Sequence, residues 1–101
     1  WMSSATTGNC LWSVAMDGKP LGTTTVFDGA LQTAGAGVMP ANSTANALTA
    51  GTFNGVTSGW ADSELAVVQV QRIGADGTDT MGATANLVAV KIEYLASAES
   101  D

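Results

Sequence analysis

Two aspartates in one glycine-containing loop are the residues best suited to bind a cation. Asp76 and Asp79 lie three positions apart in the segment Ala75-Asp76-Gly77-Thr78-Asp79-Thr80. Carboxylate and hydroxyl oxygens at this spacing can surround a hard ion such as Ca²⁺. The loop lacks the further acidic ligands and the terminal Glu that an EF-hand loop requires. The sequence therefore favours the other interpretation, an Asx-type turn in which the aspartates accept hydrogen bonds from nearby backbone amides.

Catalytic arrangements are a second possibility, and the residue types argue against them. Asp62 and Glu64 lie two positions apart before a strand, and a pair of carboxylates can catalyse glycoside hydrolysis. Two exposed carboxylates on one strand face, without converging aromatic residues, are more typical of a solvated strand entrance. The chain contains no His, which excludes Ser–His–Asp and Cys–His catalysis. We predict that the protein is not an enzyme and uses no cofactor.

The charge balance restricts the partners. The 101-residue chain has three basic and nine acidic residues, a formal net charge of −6. Such a chain repels a phosphate backbone and an anionic membrane, so we predict that neither nucleic acid nor membrane is a partner. Cys10 is the only cysteine. It excludes an intrachain disulfide, and we expect it to be a small buried hydrophobic residue.

A long stretch without any charge is the most unusual feature of the chain. Residues 29–61 include no Asp, Glu, Lys, Arg or His, and consist mainly of Ala, Gly, Thr, Ser and Asn. Soluble monomers usually keep charges dispersed over their surface. We therefore predict that copies of the chain or neighbouring proteins cover this surface. The expected form is a homo-oligomer, most simply a homotrimer.

The elements that position these residues are predicted to be β-strands. Apolar side chains alternate with a period of two over residues 10–16, 65–72 and 87–95, which is the strand signature. A run of β-branched residues predicts a further strand over residues 23–27. The last two strands are expected to form an antiparallel pair. Turn signals stand at Gly8-Asn9, Asp17-Gly18 and Ser58-Gly59.

The middle of the chain is predicted to be mostly irregular. Gly35, Gly37 and Pro40 argue against a helix between residues 30 and 47. We expect a long loop there, followed by a short strand over residues 47–53. A loop of that length is unusual inside a compact domain, and packing against another subunit would account for it.

Short strands joined by glycine-rich turns predict an all-β protein, an antiparallel sandwich or barrel. We expect one domain over residues 1–95 and a flexible acidic tail over residues 96–101. The first strand is expected to begin upstream of Trp1. The residues predicted to form the core and the assembly contacts are Trp12, Val14, Trp60, Val68, Val70, Val90, Ile92 and Tyr94.

Two segments of the chain resemble a small β domain of bacteriophage virion proteins. Residues 4–15 combine Ala, Ser and Thr with a Gly-Asn turn and an alternating strand that contains a Trp. Residues 65–94 combine a strand ending in Arg72, a loop with Asp79-Thr80-Met81, and the run Ala85-Asn86-Leu87-Val88-Ala89-Val90-Lys91-Ile92-Glu93-Tyr94. The region between them, residues 19–59, is where members of that family vary.

The resemblance implies a β-sandwich of jelly-roll type, often trimeric, located in the virion. Such domains occur in head fibres, capsid decoration (cement) proteins and tail-associated proteins, so other capsid or tail proteins are the implied partners. The matching motifs carry no catalytic residue. Asn86 departs from the family pattern, in which an acidic residue is common at this position, and the loop over residues 74–84 is longer than the tightest family loops.

A different function is also compatible with the sequence. A carbohydrate-binding or host-receptor-binding module at the tip of a phage fibre would need aromatic platforms on which sugars stack. Trp12, Trp60 and Tyr94 are the candidate platforms. The alternation places Trp12 and Tyr94 with the core residues, which favours the structural role.

Overall fold

The computed structural model describes residues 1–22, 31–54 and 64–93. Over these ranges the protein is all-β and contains no helix, which confirms the predicted class. Three strands form one antiparallel sheet with the order β2-β1-β3, so β1 is central. The strands are β1 (Asn9–Pro20), β2 (Gln32–Pro40) and β3 (Glu64–Arg72).

The central strand is longer than its alternating pattern predicts. Asp17-Gly18 does not end β1, because the strand continues beside β3 as far as Pro20, which lies opposite Glu64. Asp17 and Lys19 lie on one face of the strand, and the Lys19 ammonium donates to an Asp17 carboxylate oxygen at 2.7 Å. The turn predicted at Asp17-Gly18 is therefore wrong, and pairing across the sheet overrides the local turn signal.

β2 corrects the prediction of a long loop in the middle of the chain. Gly37 lies opposite Trp12, and Gly35 lies opposite Val14. A Cβ atom on Gly37 would lie 3.4 Å from Cε1 of Phe53, and one on Gly35 would lie 3.6 Å from Cδ1. Gly35 and Gly37, which argued against a helix, thus leave room for an aromatic ring beside the strand.

Two strands that the sequence predicts are not formed. Residues 47–53 form no regular strand, although Trp1 and Thr49 exchange two backbone hydrogen bonds of 3.0 and 2.8 Å. Residues 87–93, the described part of the predicted strand over residues 87–95, also form none. The expected hairpin between that strand and β3 is therefore not formed in the described chain.

The core lies on the face of the sheet that carries Cys10, Trp12 and Val70. Its fully packed members are Trp1, Cys10, Trp12 and Met81. Partly buried apolar side chains from both flanks of the sheet complete it: Ala5, Met39, Ala41, Phe53, Val70 and Ala85. The opposite face of β1 is covered as well, because Leu11 and Ala15 are buried.

Several predictions fall outside the described residues. These are the strand over residues 23–27, the turn at Ser58-Gly59, the side chains of Asp62, Trp60 and Tyr94, and the tail over residues 96–101.

Candidate functional site

The loop after β3 is organised by the last residue of that strand. The Arg72 guanidinium donates from Nε and Nη2 to the two carboxylate oxygens of Asp79, at 2.9 and 2.6 Å. It also donates to the backbone carbonyls of Met81 and Ala83, both at 2.6 Å. Two parallel bonds to one carboxylate are the strongest geometry available to an Arg side chain. One residue therefore fixes three points of the loop.

Asp79 is bound from two elements at once. Its Oδ2 accepts from Arg72 and from the backbone N–H of Leu11, at 2.9 Å in each case. Its side chain is only 1% exposed. The hydrogen bonds from Arg72 and then from Leu11 lower the pKa of the Asp79 carboxyl to about 2, because they stabilise the charged form. Asp79 thus ties the loop both to β3 and to β1.

Asp76 has a different role in the same loop. Its Oδ1 accepts from the backbone N–H of Thr78 at 2.8 Å and from the Thr78 hydroxyl at 2.7 Å. These bonds lower the pKa of Asp76. This is the Asx-type turn that the sequence favoured, so that interpretation is confirmed.

The structure does not bring Asp76 and Asp79 together as a cation site. Asp79 is directed to Arg72 and Leu11, whereas Asp76 bonds within its own turn. Over residues 1–22, 31–54 and 64–93, no group of three or more His, Cys, Asp or Glu side chains could hold a metal ion.

The start of β1 is tied to the same loop through Asn9. Its N–H donates to the Thr80 hydroxyl at 3.0 Å, and its carbonyl accepts from the N–H groups of Thr80 and Met81 at 2.9 Å. The preceding residue, Gly8, has a φ of +90°. A Cβ atom on Gly8 would lie 2.9 Å from the Met81 Cα atom. The turn predicted at Gly8-Asn9 is confirmed, and it requires glycine.

Beneath this loop lies the buried aromatic pair of the core. The rings of Trp1 and Trp12 are 6.1 Å apart between centroids and tilted by 53°, and the separation lies within the range of favourable aromatic pairs. Cys10 is completely buried beside them, and this burial raises the pKa of its thiol. Trp12 is 5% exposed, so it cannot serve as a sugar-stacking platform. Val14 is buried as predicted.

Residues 68–71 of β3 have the predicted faces, whereas Ala66, on the same face as Val68 and Val70, is exposed. Val70 packs against the core, and Val68 on the same face is half-buried. Gln69 and Gln71, which alternate with them, are exposed.

The predicted core positions of Val90 and Ile92 are wrong for the single chain. Residues 87–93, here called the apolar segment, leave Val88, Val90 and Ile92 exposed at 54%, 50% and 46%. Among the described residues, no backbone hydrogen bond involves the apolar segment. The segment follows Asn86, whose backbone N–H and C=O both bond to Met2, at 2.8 and 2.9 Å. This tether holds the start of the segment beside the chain's first residues.

The uncharged stretch includes the edge strand β2. Its described part, residues 31–54, supplies β2 and the irregular segment that follows it. Val38 is 47% exposed and Leu48 69% exposed. The described part of the stretch thus presents apolar side chains at a sheet edge without any charged residue.

Arg72 is the site residue whose role sequence reasoning missed. It is one of three basic residues in an acidic chain and stands where an alternating strand ends, with an aspartate seven positions later. These signals indicate a strand-end cation that organises the following loop, but they do not reveal which carboxylate it binds.

No helix in the described parts of the chain is long and apolar enough to cross a membrane. No protein-family model, curated protein or solved structure matches this chain.

Proposed function

We propose that this protein is a non-enzymatic structural component of a bacteriophage virion, as a capsid decoration or fibre domain. Copies of the chain assemble through the uncharged surface, as a homotrimer that contacts other capsid or tail proteins. The virion is the proposed location, and no cofactor takes part. The resemblance of residues 4–15 and 65–94 to phage virion domains is one support for this proposal.

The observation that carries the proposal is the position of the uncharged stretch. In its described part, β2 forms one side of the sheet, and Val38 and Leu48 stay exposed with no charged side chain among residues 31–54. Burying small, hydroxyl and apolar groups avoids the large desolvation cost of charged groups. Such a surface suits permanent contact with another protein better than contact with water.

We also propose that the sheet is one layer of a jelly-roll sandwich. The central strand β1 has buried side chains on both of its faces. Cys10, Trp12 and Val14 are buried on one face, and Leu11 and Ala15 are buried on the other. A strand covered on both faces is expected in a layered fold. A ring of copies would in addition cover strand edges that otherwise invite aggregation.

Mechanically, the Arg72–Asp79 pair would make each subunit a rigid unit. It joins the loop after β3 to the start of β1, over the buried tryptophan pair. The acidic groups outside the contacts would keep particles dispersed through their mutual repulsion.

The direct test is mass spectrometry of purified particles of the phage whose genome encodes this chain. We expect its peptides in the particles, at a copy number divisible by three. Immunogold labelling with antibodies against the chain then distinguishes head from tail. Absence of the chain from complete particles, while it is present in the lysate, would overturn the proposal.

A further inference from the structure

We infer that the apolar segment, residues 87–93, is an interaction strand that adds to the edge of β3 in a second copy of this chain. This inference rests on the proposed assembly role and names the part of the chain that performs it.

The first observation is a conflict between sequence pattern and local structure. The order Leu87-Val88-Ala89-Val90-Lys91-Ile92-Glu93 alternates as a strand does, and it is rich in β-branched residues. Yet its apolar side chains are about half exposed, and no backbone hydrogen bond joins the segment to another described residue. A segment that favours β-structure and has no strand partner among the residues that the structure describes can act as a donor for pairing with another sheet.

The second observation concerns the path of the chain from β3 to the apolar segment. Arg72 holds Asp79, Met81 and Ala83 at the end of β3. Asn86 is then bonded to Met2 through both of its backbone groups. The connection is thus fixed along its length and delivers the segment beside Met2.

The third observation is charge. The whole chain carries −6, so two copies repel each other unless they meet through neutral surfaces. The apolar segment is neutral, because Lys91 and Glu93 compensate each other in an ion pair. The run from Leu65 to Gln71 in β3 carries no charged residue. These two surfaces can meet without bringing carboxylates together.

The fourth observation concerns size. Leu87, Val88, Val90 and Ile92 are 46–54% exposed, so a single copy leaves apolar surface that an interface would bury. A stable interface needs about 20–30 residues on each side. The seven-residue strand supplies part of this interface, and the uncharged surface beside β2 supplies the rest.

The test combines a double substitution with amide exchange on the full chain. Val88→Lys/Val90→Lys places two ammonium groups in the proposed strand while lowering the net negative charge, so any dissociation cannot result from greater overall repulsion. Leu21→Lys is the matched control, since Leu21 is 75% exposed and lies outside the segment. Sedimentation velocity reports the oligomeric state, and near-ultraviolet circular dichroism of the Trp1–Trp12 pair reports the fold.

We expect the double variant to be a folded monomer at a concentration where the wild type and Leu21→Lys are oligomeric. In the wild-type oligomer, every second amide between residues 87 and 93 should exchange at least about 100-fold more slowly than in an unfolded peptide. This pattern follows because a strand added at an edge is paired on one side only.

The inference is overturned if the double variant stays oligomeric, if the wild type is monomeric, or if the amides of residues 87–93 in the wild-type oligomer exchange at unfolded rates. The exchange measurement needs no variant, so it decides the question even if the double variant fails to fold. An oligomer that survives the substitution leaves the proposed virion role standing. That role is lost only if the chain is missing from particles.

Discussion

Arg72 and Asp79, seven residues apart, are joined by two hydrogen bonds of 2.9 and 2.6 Å that close the loop after β3 against the start of β1. The same carboxylate accepts from the Leu11 N–H, so the pair links the edge strand, the central strand and the loop. In a chain with three basic residues, one of them is committed to this link. This charged contact holds the loop in addition to the neutral hydrogen bonds that Asn9 makes with Thr80 and Met81.

Asp79→Asn should lower the melting temperature at pH 7 by about 10 °C, on the scale that applies to domains of this size. The pKa of Asp79 is about 2 in the folded chain and about 3.9 in an unfolded one. As the pH falls, Asp79 is protonated in the unfolded chain before it is protonated in the folded one. The stabilisation that Asp79 supplies is therefore complete above about pH 5 and is lost as the pH falls towards 2. The difference in melting temperature between wild type and variant should shrink over the same range.

Asp76→Asn is the control for that experiment. It makes the same chemical change in the same loop, but an Asn side chain can still accept from the Thr78 N–H and preserve the turn. Its melting temperature at pH 7 should stay near that of the wild type. Equal effects of the two substitutions would contradict the role assigned to the Arg72–Asp79 pair.

Gly8→Ala should destabilise the protein by about 2 kcal/mol or more, because an L-residue pays roughly 1–2 kcal/mol for left-handed backbone. The added methyl group would also meet the Met81 backbone at 2.9 Å. Gly77→Ala is the matched control, since a Cβ atom there has no neighbour within 4 Å, and it should change stability by less than about 0.5 kcal/mol. Urea denaturation, monitored by tryptophan fluorescence, measures the stability of both variants. Similar midpoints for the two variants would refute this description of the turn.

Val70→Asp should cost about 3 kcal/mol, because it places an unpaired charge against the core. Gln69→Asp adds the same charge on the exposed face of β3 and should cost less than about 0.5 kcal/mol. Thermal denaturation of the two variants is a test of strand register. If Gln69→Asp proved the more damaging, the faces of β3 would be assigned the wrong way round.

Cys10 should resist thiol reagents in the native protein and react at least about 100-fold faster in denaturant, because only the opened chain exposes the buried thiol. Its raised pKa also lowers the thiolate fraction. Leu21→Cys supplies an exposed thiol in the same molecule, so two labelling phases should appear. A single fast phase for both thiols would show that Cys10 is accessible.

Local periodicity predicted β1 and β3, together with their faces, since Trp12 and Val70 do point into the core. Local periodicity did not predict β2. Gly35 and Gly37 leave room for the ring of Phe53, and Phe53 lies far away in sequence. Strand propensity counts glycine as unfavourable, and it takes no account of a distant side chain that fills the space beside the glycine.

The apolar segment shows the complementary failure. Alternation at Val88, Val90 and Ile92 indicates which conformation the residues favour, but it does not specify the strand they pair with. The bonds of Asn86 to Met2 and of Arg72 to the loop place the start of the segment beside Met2, and no local pattern encodes them. The Asx turn at Asp76 could be predicted because both partners lie within three residues.

Sedimentation equilibrium of the purified wild-type chain at micromolar concentration is the most direct measurement of self-assembly. The proposed homotrimer predicts a single species with three times the 10.1 kDa mass of the chain. A species that remains at 10.1 kDa across that concentration range would contradict the claim that copies of this chain cover its uncharged and apolar surfaces.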